Sequence, residues 1–393
     1  MFSKLLNFSF IISMVMALAA CGNNIPVAPI IPTRTIPAPP TSQPVAVVTY
    51  IATQTPTLDL TPTFLPTLTS SAIVSLTSTT YSVPIPGKFV NHLALDDKYI
   101  YWTESGGNLF RYSPPSPKNT AVTVFARTHF VDGILSGYPD RSLLRVGDWL
   151  IFDDRQITGQ TQAWALRAIK VETQTELNLA QGEGSTILLT FSSDGEWVVW
   201  ITMDLSAGTI MTVQNLQTGQ SRELARSDSL RNGWEEVVVS AGQAVATELG
   251  DNGRTLVLFE LKSGQSRKLL SDMTDSDMAG LTFDGNWIAW KAGMSNQGPT
   301  ALYNQQTGQT ELLPDWGISP LLAGGWLTWE AASEQPLYLV NLETRQSFRV
   351  ADAQPGDELI DVAIYGNVIA WCRLHSENQN TRFDSTVEWR GFP

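Results

Sequence analysis

The sequence predicts an all-β fold, a β-propeller of four-stranded blades. An apolar strand ending mostly in an aromatic residue recurs seven times, with a period of about 45 residues. Tight glycine-centred hairpins follow several of the copies. No long amphipathic helical pattern interrupts them. Short strands at regular spacing with turn residues between them are the signature of blades around an axis.

The chain starts with segments that precede this fold. Residues 1–20 carry Lys4, an apolar run from Phe8 to Leu18, and the small residues Ala19 and Ala20. A basic start, a short apolar core and small residues at its end make a secretory signal. The run is too short and too interrupted by serine for a permanent span. Leu18-Ala19-Ala20-Cys21-Gly22 resembles the lipobox of bacterial lipoproteins. That resemblance implies diacylglycerol transfer to the Cys21 sulfur, cleavage before Cys21, and a bilayer as partner of the acylated cysteine. It places the protein in the cell envelope, on the outer side of the cytoplasmic membrane or in the outer membrane. Residues 21–71 then read as anchor and disordered linker. The stretch 25–70 holds ten Pro and eleven Thr, with only Arg34 and Asp59 charged. Proline blocks helix and central strand, and so few large apolar groups cannot offset the ordering entropy. Such a tether would reach on the order of 100 Å if largely polyproline-like.

The recurring strands are Tyr99–Trp102, Trp149–Phe152, Trp197–Trp200, Gln243–Thr247, Trp287–Trp290, Trp326–Trp329 and Val368–Trp371. Each is the second strand of its copy. The hairpins between third and fourth strands are clearest at Gln217–Gln220, Lys262–Gln265 and Gln306–Gln309, each with a central glycine. Within the propeller, expected over 72–393, the blades fall at 89–126, 142–180, 187–225, 236–270, 278–314, 319–351 and 358–392. Seven blades are expected, and six are the alternative if the copy at 236–270 is irregular. The pairs Trp197/Trp200, Trp287/Trp290 and Trp326/Trp329 are spaced to lie on opposite strand faces, as a blade buried on both sides requires. The last copy lacks a fourth strand. Residues 72–86, with Thr80-Tyr81-Ser82-Val83, are expected to supply it and close the ring. The tether would then join at the rim of the last blade.

Phe191-Ser192-Ser193-Asp194-Gly195-Glu196-Trp197-Val198-Val199-Trp200 resembles the repeat of TolB-like, PD40-type propellers, with Ser193 in place of their usual Pro. Leu281-Thr282-Phe283-Asp284-Gly285-Asn286-Trp287 is a second partial match. The motif is structural, so it does not carry those proteins' partners to this chain.

Chemistry is sparse. Nucleophile-elbow, zincin, Cys-x-x-Cys, P-loop and dinucleotide motifs are missing from the sequence, and no cofactor is expected. Once residues 1–20 are removed, Cys21 and Cys372 are the two cysteines, so the propeller has no disulfide framework, and Cys372 reads as a small buried hydrophobe. His92, His129 and His375 stand apart from one another and from cysteine. Asp272, Asp275 and Asp277 are the weak candidates for a cation, but their spacing is not that of an EF-hand.

The formal net charge is −13, which argues against nucleic acid. The acidic residues concentrate in blade-to-blade and second-to-third-strand loops, which share one propeller face. Asp153, Asp154, Asp228, Glu235, Asp272, Asp275, Asp277 and Asp315 are the candidates there for contact with a partner, a protein or a small ligand. The functional expectation is a membrane-anchored extracytoplasmic binding or scaffold module, non-catalytic. The alternative is an extracytoplasmic hydrolase or lyase acting on polysaccharide or peptide, with carboxylates in the propeller funnel.

Overall fold

The computed structural model describes residues 73–86, 88, 90–104, 108–114, 122–125, 143–158, 161–229, 232–273, 278–292, 298–314, 317–331, 334–376 and 383–393. Cys21, the linker, His129, Asp275, Asp277 and Asp315 lie outside these residues.

The described chain opens with β1 (Val74–Ser75) and β2 (Tyr81–Ile85). Blade 1 is β3 (Val90–Leu95), β4 (Ile100–Glu104), β5 (Leu109–Tyr112) and β6 (Val122–Phe125). Blade 2 is β7 (Leu143–Val146), β8 (Trp149–Thr158), β9 (Thr161–Lys170) and β10 (Thr175–Glu183). Blade 3 is β11 (Thr186–Ser193), β12 (Trp197–Asp204), β13 (Gly208–Asn215) and β14 (Ser221–Ser227). Blade 4 is β15 (Gly233–Ser240), β16 (Gln243–Gly250), β17 (Gly253–Glu260) and β18 (Ser266–Met273). Blade 5 is β19 (Met278–Phe283), β20 (Trp287–Ala292), β21 (Thr300–Asn304) and β22 (Gln309–Leu313). Blade 6 is β23 (Ile318–Ala323), β24 (Trp326–Glu330), β25 (Leu337–Asn341) and β26 (Ser347–Ala351). Blade 7 takes β27 (Asp357–Tyr365), β28 (Val368–Ser376) and β29 (Phe383–Gly391) from the end of the chain and β2 from its start.

Seven blades therefore close a ring, and the stretch 236–270 lies within a regular four-stranded blade. The first strands touch in succession, from β3 to β27 and back to β3, so they surround the axis. β2 pairs antiparallel with β29, Tyr81 opposite Trp389 and Ile85 opposite Ser385. The chain does not join at the rim of the last blade alone. β1 pairs parallel with β26 first, as a fifth strand on the outer edge of blade 6. Two residues leave too little pattern to read as a strand in the sequence.

Among the described residues the buried apolar side chains form seven clusters, one at each blade-to-blade contact. The tryptophan pairs divide as their spacing requires. Trp200 packs between blades 2 and 3, and Trp197 between blades 3 and 4. Trp290 and Trp287 flank blade 5 in the same way, and Trp329 and Trp326 flank blade 6. Trp329 is 1% exposed and donates from Nε1 to Thr300 Oγ1 at 2.7 Å. Covering both faces of every blade explains why few charged and many apolar residues serve this sequence.

The repeated Asp-Gly turn joins blades. Asp194 Oδ1 accepts from the N–H groups of Glu196 and Trp197 at 3.1 and 2.9 Å, which shapes its own turn. Asp194 Oδ2 accepts from Gly242 N–H of blade 4 at 2.7 Å. Ser192 Oγ accepts from Val239 N–H of the same blade at 2.9 Å. Asp284 and Thr282 repeat this arrangement from blade 5 to blade 6, reaching Gly325 and Leu322. Gly195 has φ +94°, and a Cβ there would meet the backbone of the blade 2 turn, 3.2 Å from Gly147 N. The positive φ favours glycine, and the tight approach to blade 2 adds to that preference. The motif that resembles the TolB-like repeat is thus a staple between neighbouring blades.

Candidate functional site

In an antiparallel blade the start of the first strand, the end of the second and the start of the third lie at one end. The blade-to-blade connections reach that same end, which is here called the connecting pole. The acidic residues expected at this pole that fall among the described residues differ in their partners.

Asp153 is buried at 4% exposure within blade 2 rather than displayed. Asp154 pairs with Arg167 on the neighbouring strand, Nε to Oδ2 at 2.8 Å. Glu235 takes two bonds from Arg254, 2.7 Å from Nε and 3.3 Å from NH2. Asp251 accepts from Asn232 Nδ2 at 2.7 Å. Asp228 is exposed. Asp272 lies in β18. Arg167 and Arg254 sit inside strands, so counting charges in loops alone overstates the negative charge of this pole. Among the described residues no group of three or more His, Cys, Asp or Glu side chains is placed to hold a metal ion.

Among the described residues, a dense polar constellation of the pole is on blade 7, on its side toward blade 6. Asp357 opens β27 and stands directly opposite His375 near the end of β28. Its carboxylate is buried, 2.7 Å from His375 Nδ1 and 2.7 Å from Arg373 NH1. Gln354 N–H donates to the same carboxylate at 3.2 Å, and Asp357 N–H returns a bond to Gln354 O at 2.9 Å. Arg373 also grips Glu388 of β29 with two bonds, 3.1 Å from Nε and 2.9 Å from NH2, and reaches Asp352 O at 3.0 Å. Trp371 Nε1 donates to Glu388 Oε2 at 2.6 Å.

Alternation along β28 explains the placement. Trp371, Arg373 and His375 share one face, apolar at depth and polar toward the pole. Burial works against the charge of Asp357, but the bonds from His375 and Arg373 outweigh it and hold the carboxyl below its usual range. Burial likewise opposes the Arg373 charge, and Glu388 and Asp357 reverse the balance. The network therefore carries fixed charges and pins residues 352–357 against the blade. His375 is 45% exposed, with Nδ1 turned to Asp357, so its Nε2 is the edge left for contacts beyond the network. Only the alternation of Arg373 with His375 marks this constellation in the sequence, because Asp357 and Glu388 come from other strands.

Cys372, beside this network, is fully buried and reduced, and burial pushes its thiol well up. It belongs to the core between blades 7 and 1, as a small apolar residue would.

The fold and this pole define a seven-bladed β-propeller. No protein-family model matches the chain, and no curated protein matches it. An oligogalacturonate lyase in complex with manganese is similar over 81% of this chain and 97% of its own, at 12% identity and a TM-score of 0.53. The β-propeller domain of the Trilobed protease from Pyrococcus furiosus is similar over 77% of this chain and 95% of its own, at 8% identity and a TM-score of 0.54. TolB from Acinetobacter baumannii aligns over 77% of this chain and 78% of its own, at 10% identity and a TM-score of 0.42. Likeness at these identities concerns the fold alone.

Proposed function

We propose that the chain is a lipid-anchored binding or scaffold module of the cell envelope, held through acylated Cys21 and presenting its connecting pole to a basic protein or small ligand. The observation that carries this reading is where the N-terminal segment meets the propeller. β1 and β2 lie on the outer edges of blades 6 and 7, so residues 74–85 cover neither pole. A tether joined to the chain at β1 would leave a pole free to meet a partner.

The charge of the pole suits attraction of a cation. The described carboxylates whose ionisation is shifted, Asp204, Glu223 and Asp357, are all shifted down. Such groups stay charged at neutral pH, which suits attraction of a cation. Long-range attraction by a surplus of carboxylates would speed encounter and weaken with salt.

The test uses the full chain in a bacterial envelope fed an alkyne fatty acid. Label is expected on the wild type and lost in Cys21→Ala. Partners captured at low salt should be released by high salt, and lost when Asp272, Asp275 and Asp277 are changed together to Lys. Persistent label in Cys21→Ala would remove the anchor from the reading, and salt-independent capture unaffected by the charge reversal would remove the acidic pole.

A further inference from the structure

The seam between blades 6 and 7 holds a charged group that the propeller core does not require. Arg390 of β29 is 9% exposed. Among the described residues it meets no carboxylate within ion-pair distance. Its partners are the N-terminal segment and the outer strand of blade 6. NH1 donates to Val350 O at 2.6 Å, and NH2 donates to Leu76 O at 3.0 Å and to Ser78 O. Nε donates to Ser78 Oγ at 3.2 Å, and that hydroxyl donates onward to Gly391 O at 2.5 Å.

Residues 76–80 are the link between β1 and β2, so they must cross from one blade edge to the next. Outside the guanidinium, the crossing is held by half-buried Leu76, packed on the apolar cluster between blades 6 and 7, and by few polar contacts. β1 offers two paired residues, extended by Leu76 N–H to Arg349 O at 3.4 Å. Tyr81, at the start of β2, stacks on Trp389 at 5.8 Å while remaining 47% exposed. A buried guanidinium is costly unless its donors are satisfied, and here three of its four hydrogen bonds go to the crossing segment. Docking the segment and satisfying Arg390 are therefore one event.

We infer that Arg390 is a latch that holds residues 74–85 as a strap, so that the chain's N-terminal attachment and the closing strand of the ring are released together. A pull applied from the N-terminal side meets β1 and the latch before it meets β2. The closure of blade 7 is thereby shielded from whatever the tether transmits. This inference is independent of what the connecting pole binds.

The experiment measures hydrogen exchange and limited chymotrypsin cleavage at Tyr81 on the full chain. The variants are Arg390→Ala, Arg390→Lys and Ser78→Ala. Arg349→Ala, an exposed arginine on the strand that β1 pairs with, is the control. Arg390→Ala should raise exchange across Tyr81–Ile85 and cleavage at Tyr81 by at least about tenfold, with strands of blades 3 to 5 unchanged. Arg390→Lys and Ser78→Ala should fall between it and the wild type, and Arg349→Ala should match the wild type. If Arg390→Ala does not fold, the two milder variants decide by the same measure. Wild-type rates in Arg390→Lys and Ser78→Ala, or a rise spread equally over all blades, would overturn the latch.

Discussion

Replacing Asp194 separates the two jobs of the Asp-Gly turn. Asp194→Ala removes three accepted bonds, two within the turn and one to Gly242 of the next blade. Bonds to a charged acceptor are each worth about 1.5–3 kcal/mol, but this half-buried carboxylate is partly rehydrated on loss, so the total is about 2–4 kcal/mol. Asp194→Asn keeps a carbonyl oxygen for the turn and opposes Gly242 N–H with an amide N–H. It should cost about 1–2 kcal/mol. Urea unfolding followed by tryptophan fluorescence gives both values, and the melting temperature should drop by about 2–4 °C per kcal/mol. Asp284→Ala and Asp284→Asn should repeat the pattern between blades 5 and 6. If Asn proves as costly as Ala at both positions, the turn bonds contribute nothing and the staple is wholly between blades. If neither substitution moves the midpoint, the account of the motif is wrong.

Other perturbations follow from the same contacts. Trp329→Ala empties a fully buried site and strands the Thr300 hydroxyl, so it should cost about 3–5 kcal/mol in the same unfolding assay. Gly280 has φ +68° and a Cβ there would sit 2.9 Å from Pro320 Cδ in the next blade; Gly280→Ala should cost about 1–3 kcal/mol, and unchanged stability would refute the tight contact. Asp357 has a lowered folded-state pKa, so the unfolded chain binds its proton first as pH falls. Its contribution is complete above the usual carboxylate value of about 4 and disappears below that, through the depressed value. Asp357→Asn should therefore lower stability at neutral pH and flatten the acid limb of a stability–pH curve.

The propeller is legible in the sequence because a blade is buried on both faces. That demand puts large apolar groups on both sides of each second strand, and the tryptophan pairs carry it openly. The closing strand is legible for a related reason: the last copy runs out at β29 with one edge to fill, and Tyr81–Ile85 is a spare strand. Blade 4 lacks the tryptophan pair, with Gln243 and Ala246 in those places, yet Val245 and Ala246 supply enough burial to keep it regular. The constellation on blade 7 is less legible because it needs registers. Between Ile360 and Ala363 the pairing of β27 with β28 shifts, and only the paired structure sets Asp357 against His375. Arg167, Arg254 and Arg373 look like ordinary strand residues until their neighbours are known.

The motif that makes the chain look TolB-like is occupied with joining one blade to the next, so it carries no information about a ligand. Specificity must come from positions that the ring does not need. Much of the acidic connecting pole is also committed: Asp154, Glu235 and Asp357 each hold an arginine from their own blade. For the proposed partner, the groups left among the described residues include the exposed Asp228 and the outward edge of His375. A surface built from leftover charges gives attraction and salt sensitivity more readily than a deep, shaped pocket. The proposed tether would compensate for weak contacts, because confining a module near a surface raises its effective concentration toward anything else confined there. If the proposed binding function holds, the edge pairing of β1 and β2 and the Arg390 contacts would serve it by keeping residues 74–85 off the pole.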